Sequence, residues 1–232
     1  MELLIADDAE SAALEAARLL ADVASRGGAV AVAGGSTPRR AYELAAGLQP
    51  DWSQVDVWMG DERCVPPDDE RSNLRLVRQS LVAHVERPPS LHPVPTQLAP
   101  ADAAAAYAAS LRGTTLDLAL LGIGPDGHTA SLFPHAPSLE AHEPVVAAEP
   151  GLEPFVDRVT LTIPALAGAR TVAFLVSGAE KADAARRAFG EAPSPATPAS
   201  LVRSAEGRTV VILDRAAASE LPDAPGDRGQ RS

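Results

Sequence analysis

Three glycine-containing segments of this 232-residue chain carry side chains capable of chemistry, and each follows a short apolar run. In residues 34–37, Gly34-Gly35-Ser36-Thr37, the glycines let backbone N–H groups come close to an anion and the two hydroxyls add donors. Pro38 then sits where the first residue of a helix belongs, and a helix is positive at that end. This suits a phosphate cradle, although a tight turn with a helix cap uses the same residues. The pattern is neither G-x-x-x-x-G-K-[ST] nor G-x-G-x-x-G, so neither a nucleoside triphosphate nor a dinucleotide is indicated. In residues 60–63, Gly60-Asp61-Glu62-Arg63, carboxylates fit for proton transfer stand beside a guanidinium fit for phosphate. A solvated charged turn is the plainer reading there. Residues 122–128, Gly122-Ile123-Gly124-Pro125-Asp126-Gly127-His128, put an imidazole, which exchanges protons near neutral pH, in an open loop. Asp126 is placed to orient that ring, whereas a Gly-Pro-Asp-Gly turn with an incidental surface histidine is the alternative. Lys181 follows Ser177-Gly178 at the start of a helix, where the dipole disfavours a cation. An anion to meet would explain it, and so would plain solvation.

The elements that must position these groups alternate strand and helix. Residues 3–6 read as a strand and Asp7 or Asp8 as the cap of a helix to Arg26, ended by Gly27-Gly28. Strands follow at 29–33, 55–59, 116–121, 171–176 and 210–213, with less regular ones at 145–148 and 159–163. Helices are predicted from Pro38 to about residue 48, from an Asn73 cap through Val85, over 102–112 and over 179–189. Residues 60–72, 88–100 and 191–200 read as loops. The pattern is that of an α/β domain with a mostly parallel sheet covered by helices on both faces, over residues 1–220. Residues 221–232, rich in Pro, Gly and charge, read as a disordered tail. In such sheets ligands bind beyond the carboxyl ends of the strands, so one edge can gather all four chemical segments.

Composition removes several function classes. The net charge of −11 repels nucleic acid and anionic membrane over most of the surface, so an anionic ligand needs a local cluster of cations. One cysteine, Cys64, excludes an intrachain disulfide framework and fits a reducing compartment. The N-terminus lacks the basic and apolar regions of a secretory signal, and no apolar run approaches the ~18 residues that span a bilayer. A cytoplasmic location is expected. His128, His135 and His142 are evenly spaced, but prolines interrupt any helix that would align them. No C-x-x-C or H-x-x-x-H occurs, so no metal site is expected.

Taken together, AVAGGSTPRRAYELAA (31–46), VDVWMGDERCVPPDDERSN (55–73), LDLALLGIGPDGHTASLFP (116–134) and, more weakly, FLVSGAEKADAAR (174–186) resemble the 6-phosphogluconolactonase family, relatives of glucosamine-6-phosphate isomerase/deaminase. The resemblance implies a modified Rossmann-like fold. It implies an enzyme of the pentose phosphate pathway that hydrolyses 6-phospho-D-glucono-1,5-lactone without a cofactor or an obligate protein partner. It casts Gly34, Gly35, Ser36, Thr37, Arg63 and Lys181 as phosphate ligands, His128 as the base that activates water, and Asp126 as its orienting partner. Asp61 matches the catalytic aspartate of the deaminase relatives. Those relatives carry Asp-Glu-Tyr where this chain has Asp61-Glu62-Arg63. After the Asp-Gly-His they carry a Phe-Asn-Glu-Pro tail whose glutamate is absent here, so amino-sugar deamination is the weaker alternative. A non-catalytic sugar-phosphate sensor is the other, and the helix-turn-helix usually fused to such sensors has no room ahead of the first strand.

Overall fold

The computed structural model describes residues 1–151 and 155–222. The tail expected from residue 221 lies, from 223 onward, outside the described residues. Ten strands and six α-helices follow in the order β1 (Glu2–Ala6), α1 (Ala9–Arg26), β2 (Gly28–Val32), α2 (Ser36–Leu48), β3 (Val55–Met59), β4 (Asp61–Arg63), α3 (Asn73–Ser80), β5 (Ser90–His92), α4 (Pro100–Leu111), β6 (Leu118–Leu121), β7 (Val145–Ala148), β8 (Arg158–Leu161), α5 (Ile163–Ala167), β9 (Thr171–Val176), α6 (Ala182–Phe189) and β10 (Arg208–Asp214). Seven strands form one sheet in the order β1-β10-β9-β6-β2-β3-β5, every pair parallel. The antiparallel trio β4-β8-β7 forms a second, small sheet.

The central strands are largely apolar, as strands buried on both faces must be: all four residues of β6 and nearly all of β9 and β10 are buried. Edge strands β1 and β5 are the exposed ones. The chain moves one way across the sheet from β1 to β2, β3 and β5, then returns from β6 to β9 and β10. Right-handed crossovers in opposite directions place their helices on opposite faces. So α1 and α2 share a face and pack on each other, with Ala12, Ala13, Ala16, Ala41 and Ala45 all buried. Alanine lets these backbones come close, which is what the aromatic-poor composition supplies. Among the described residues, no helix is long and apolar enough to cross a membrane.

Five expectations need correction. Helix α2 begins at Ser36 with Gly35 as its cap, so Pro38 is the third helical residue, still within the turn whose N–H groups lack helical acceptors. Ser72 caps α3 by accepting from Arg75 N, and Asn73 is its first residue. Residues 61–63, expected as loop, are β4, and the proline-rich connector contains β5. Both form through distant partners, Asp61 with Thr160 and Trp58 with His92, which local pattern cannot show. Ile163, expected at a strand end, opens helix α5.

Candidate active site

The strand order reverses between β2 and β6, and the segments leaving the two carboxyl ends diverge to open a crevice. A cleft of about 210 Å³ lies there. It is lined by Gly34 and Gly35 after β2, Asp61 and Arg63 on β4, residues 122–125 and 128–130 after β6, Arg158 on β8 and Lys181 after β9. Four adjacent parallel strands, β9-β6-β2-β3, thus deliver their following segments to one rim. Of the expected residues, Gly34, Gly35, Asp61, Arg63, His128 and Lys181 share this cleft. Asp126 supports it from behind His128. Ser36 lines an adjoining hollow of about 340 Å³ with Arg39, Arg63 and Arg75, and half-buried Thr37 lines neither.

Two contacts shape the β2 loop. The Tyr42 hydroxyl donates to Ala33 O at 2.6 Å, tying the start of the loop to α2. Gly35 has φ +106°, a conformation that favours glycine. At Gly34 a Cβ would overlap Asn73 Oδ1, so the absence of a side chain lets α3 seat against the loop. Ser36 and Thr37 then present first-turn N–H groups that have no helical partner.

In β4, alternation sorts the charged triplet. Asp61 and Arg63 face the cleft, and Glu62 points the other way into the protein, where it is 2 % exposed. Its carboxylate accepts from Arg63 N, Asn73 N and Leu74 N, each at 2.8 Å, and from Ser72 Oγ at 3.1 Å. Glu62 is therefore an anchor for the start of α3. Burial pushes its carboxyl above the usual range although the backbone donors oppose this. Asp61 has both oxygens engaged, Oδ2 by Ser131 Oγ at 2.6 Å and Oδ1 by Asn73 Nδ2 at 3.1 Å. Gly60 links the sheets, donating to Val32 O and accepting from Leu161 N, both at 2.8 Å.

His128 Nδ1 lies 2.6 Å from Asp126 Oδ1, which also accepts from His128 N at 3.1 Å. An ionised carboxylate only accepts, so Nδ1 carries the hydrogen and Nε2 keeps its lone pair. Burial pushes the Asp126 carboxyl up, but the hydrogen bonds from His128 outweigh it and leave the group below its usual value. The ring packs on Phe133, 4.9 Å between centroids, and on Gly124, where a Cβ would overlap Nδ1. Burial holds the Lys181 ammonium below the ordinary lysine value, against the pull of Glu180 and Asp126. Arg158, 3 % exposed and stacked 5.4 Å from the Phe133 ring, is a cleft cation that sequence reasoning missed. It opens the short strand β8 and carries no local signal. Lys181 did carry one beyond its position: it is the only lysine in the sequence, where every other cation is arginine. Among the described residues, no group of three or more His, Cys, Asp or Glu is placed to hold a metal ion.

The chain matches the family model described as glucosamine-6-phosphate isomerases/6-phosphogluconolactonase over residues 4–211. It is 40% identical over 222 residues to the 6-phosphogluconolactonase of Mycobacterium tuberculosis, covering 87% of this chain and 89% of that one. The crystal structure of 6-phosphogluconolactonase from Thermotoga maritima superposes with a TM-score of 0.82 at 32% identity, over 92% of this chain and 99% of that one. A monomeric glucosamine-6-phosphate deaminase shares the fold, with a TM-score of 0.82 at 23% identity over 95% of this chain and 100% of its own. Architecture alone therefore does not separate hydrolysis from deamination. With the family model spanning the chain from β1 into β10, and a relative this similar along almost the same length, the chain belongs to the glucosamine-6-phosphate isomerase/6-phosphogluconolactonase family.

Proposed function

We propose that this chain hydrolyses 6-phospho-D-glucono-1,5-lactone to 6-phospho-D-gluconate, the lactonase step of the oxidative pentose phosphate pathway, without a cofactor. One observation carries the reading: an imidazole with its Nδ1 held by a carboxylate faces the same small cleft as Arg63, Arg158 and Lys181. A dianionic phosphate needs such cations, above all on a chain of net charge −11. The arginines, Lys181 and the start of α2 grip the 6-phosphate, and that remote grip sets C1 beside Nε2 of His128. His128 takes a proton from water as the water oxygen bonds to C1. The C1–ring oxygen bond then breaks, and the ring oxygen leaves with the proton from the imidazolium. Charge on the carbonyl oxygen builds between cations and glycine backbone, in a site already organised to receive it. Asp61, with both oxygens engaged by protein, organises the cleft and faces its cations rather than moving a proton.

His128→Asn is expected to lower kcat about 10²–10⁴-fold with KM nearly unchanged, read in a coupled assay on freshly made lactone. A variant with the wild-type kcat would remove His128 from the mechanism. Release of ammonia from glucosamine-6-phosphate at a comparable rate would favour the deaminase reading instead.

A further inference from the structure

We propose that Arg187 is a positioning residue of this site, acting from behind the loop that carries Asp126 and His128. The inference rests on the reading of His128 as the base. Arg187 lies on α6, outside the cleft lining. Its Nε donates to Asp183 Oδ2 at 2.8 Å, one turn earlier on the same helix, and this bond sets the plane of the guanidinium. The outer nitrogens then meet the loop. Nη2 donates to Pro125 O at 3.0 Å, and Nη1 donates to Asp126 O at 3.3 Å and to Thr197 Oγ1 at 2.8 Å. The next carbonyl, Gly127 O, accepts from Ala199 N at 3.0 Å.

Three successive carbonyls thus receive donors from a second layer of chain, which fixes three successive peptide planes. The Asp126 side chain leaves from the middle of that stretch. The direction of its carboxylate, and with it the 2.6 Å contact to His128 Nδ1, is therefore set by the clasp. The loop needs an outside hold. Gly127 stands at φ +92°, and glycines at 122, 124 and 127 leave an unheld loop many alternatives. The clasp also fits closely: a Cβ at Gly127 would meet Thr197 Cγ2 at 2.8 Å and Nη1 of Arg187 at 3.1 Å. Guanidinium suits this task because its planar fork spans a carboxylate on one edge and two carbonyls on the other, whereas an ammonium is a point charge. Arg203 also grips carbonyls, but those of Ala188, Ala199 and Val202, none of them in this loop.

The test is R187Q beside R187K, each alone and combined with D126N. A misplacement of about 1 Å costs a base up to ~10²-fold, so R187Q is expected to lower kcat by about ten- to a hundredfold with KM within about twofold. R187K should do nearly the same. In the D126N background R187Q should cost much less, because the route through Asp126 is already cut. The proton shared by His128 Nδ1 and Asp126, expected far downfield by NMR in the wild type, should broaden or vanish in R187Q while circular dichroism shows a folded protein. If R187Q does not fold, R187K carries the same readings. A kcat within twofold of wild type, or an equal loss with and without D126N, would overturn the proposal. If the wild type does not hydrolyse the phosphorylated lactone, the functional reading fails separately, and an unchanged Nδ1 proton in R187Q then refutes the clasp.

Discussion

In the proposed reaction Lys181 meets the substrate's anionic end, with a charge that burial already makes costly. Its ammonium lies below the ordinary lysine value, so rising pH empties it before a solvated lysine would lose its proton. Phosphate binding needs the charged form and must weaken through that range, while a bound dianion pushes the group back up. Binding of 6-phosphogluconate, followed by calorimetry, is therefore expected to weaken on the alkaline side in the wild type. Lys181→Arg should lack this alkaline loss, because a guanidinium stays charged throughout. Identical pH profiles for the two proteins would show that Lys181 is not the ligand. His128, Asp61, Arg63 and Lys181 were legible in the sequence because each lies in or beside a glycine-bearing segment after an apolar run. Arg158 was not, because its value to the cleft comes entirely from the strand that carries it, and nothing beside it in sequence marks that strand's destination.

A strand three residues long decides what the Asp-Glu-Arg triplet does. The period-two alternation of β4 sends Asp61 and Arg63 to the cleft and turns Glu62 inward to hold the start of α3. Read as a loop, the triplet could not be divided this way. Glu62→Gln puts an amide donor where Leu74 N and Ser72 Oγ need an acceptor. It is expected to reduce the free energy of unfolding by about 1–3 kcal/mol in urea titrations. An unchanged midpoint would mean that α3 does not depend on this anchor. The loop after β6 has a similar requirement at Gly124, whose missing side chain leaves room for the His128 ring. Gly124→Ala must push the imidazole aside. It is expected to lower kcat by about 10²-fold in steady-state assays while leaving thermal unfolding within a few degrees of wild type. A fully active alanine variant would show that the ring tolerates displacement.

Among the described residues, six carboxylates are held below their usual range. Hydrogen bonds lower Asp8 through Ser11, Asp51 through Ser53, Asp69 through Arg71 and Asp183 through Arg187. Groups depressed in the folded state stabilise it above the unfolded-state value, about 3.8 for aspartate, and lose that contribution as pH falls through their lower folded values. Stability is thus expected to hold above about pH 5 and to decline below 4, with Glu62, displaced upward, opposing the trend. Urea midpoints measured from pH 6 to 3 check this, and a flat profile would contradict it. By itself the sequence determined the alternation of strand and helix, the parallel character of the main sheet and the segments that carry chemistry. Those follow from hydrophobic runs, caps and glycines, which act over a few residues. The tertiary structure alone decided that β4 and β5 exist, that Glu62 is an anchor, that Arg158 joins the cleft and that Arg187 holds the loop from behind. Each depends on a partner far along the chain, and long-range pairing leaves no mark in the local pattern of either partner.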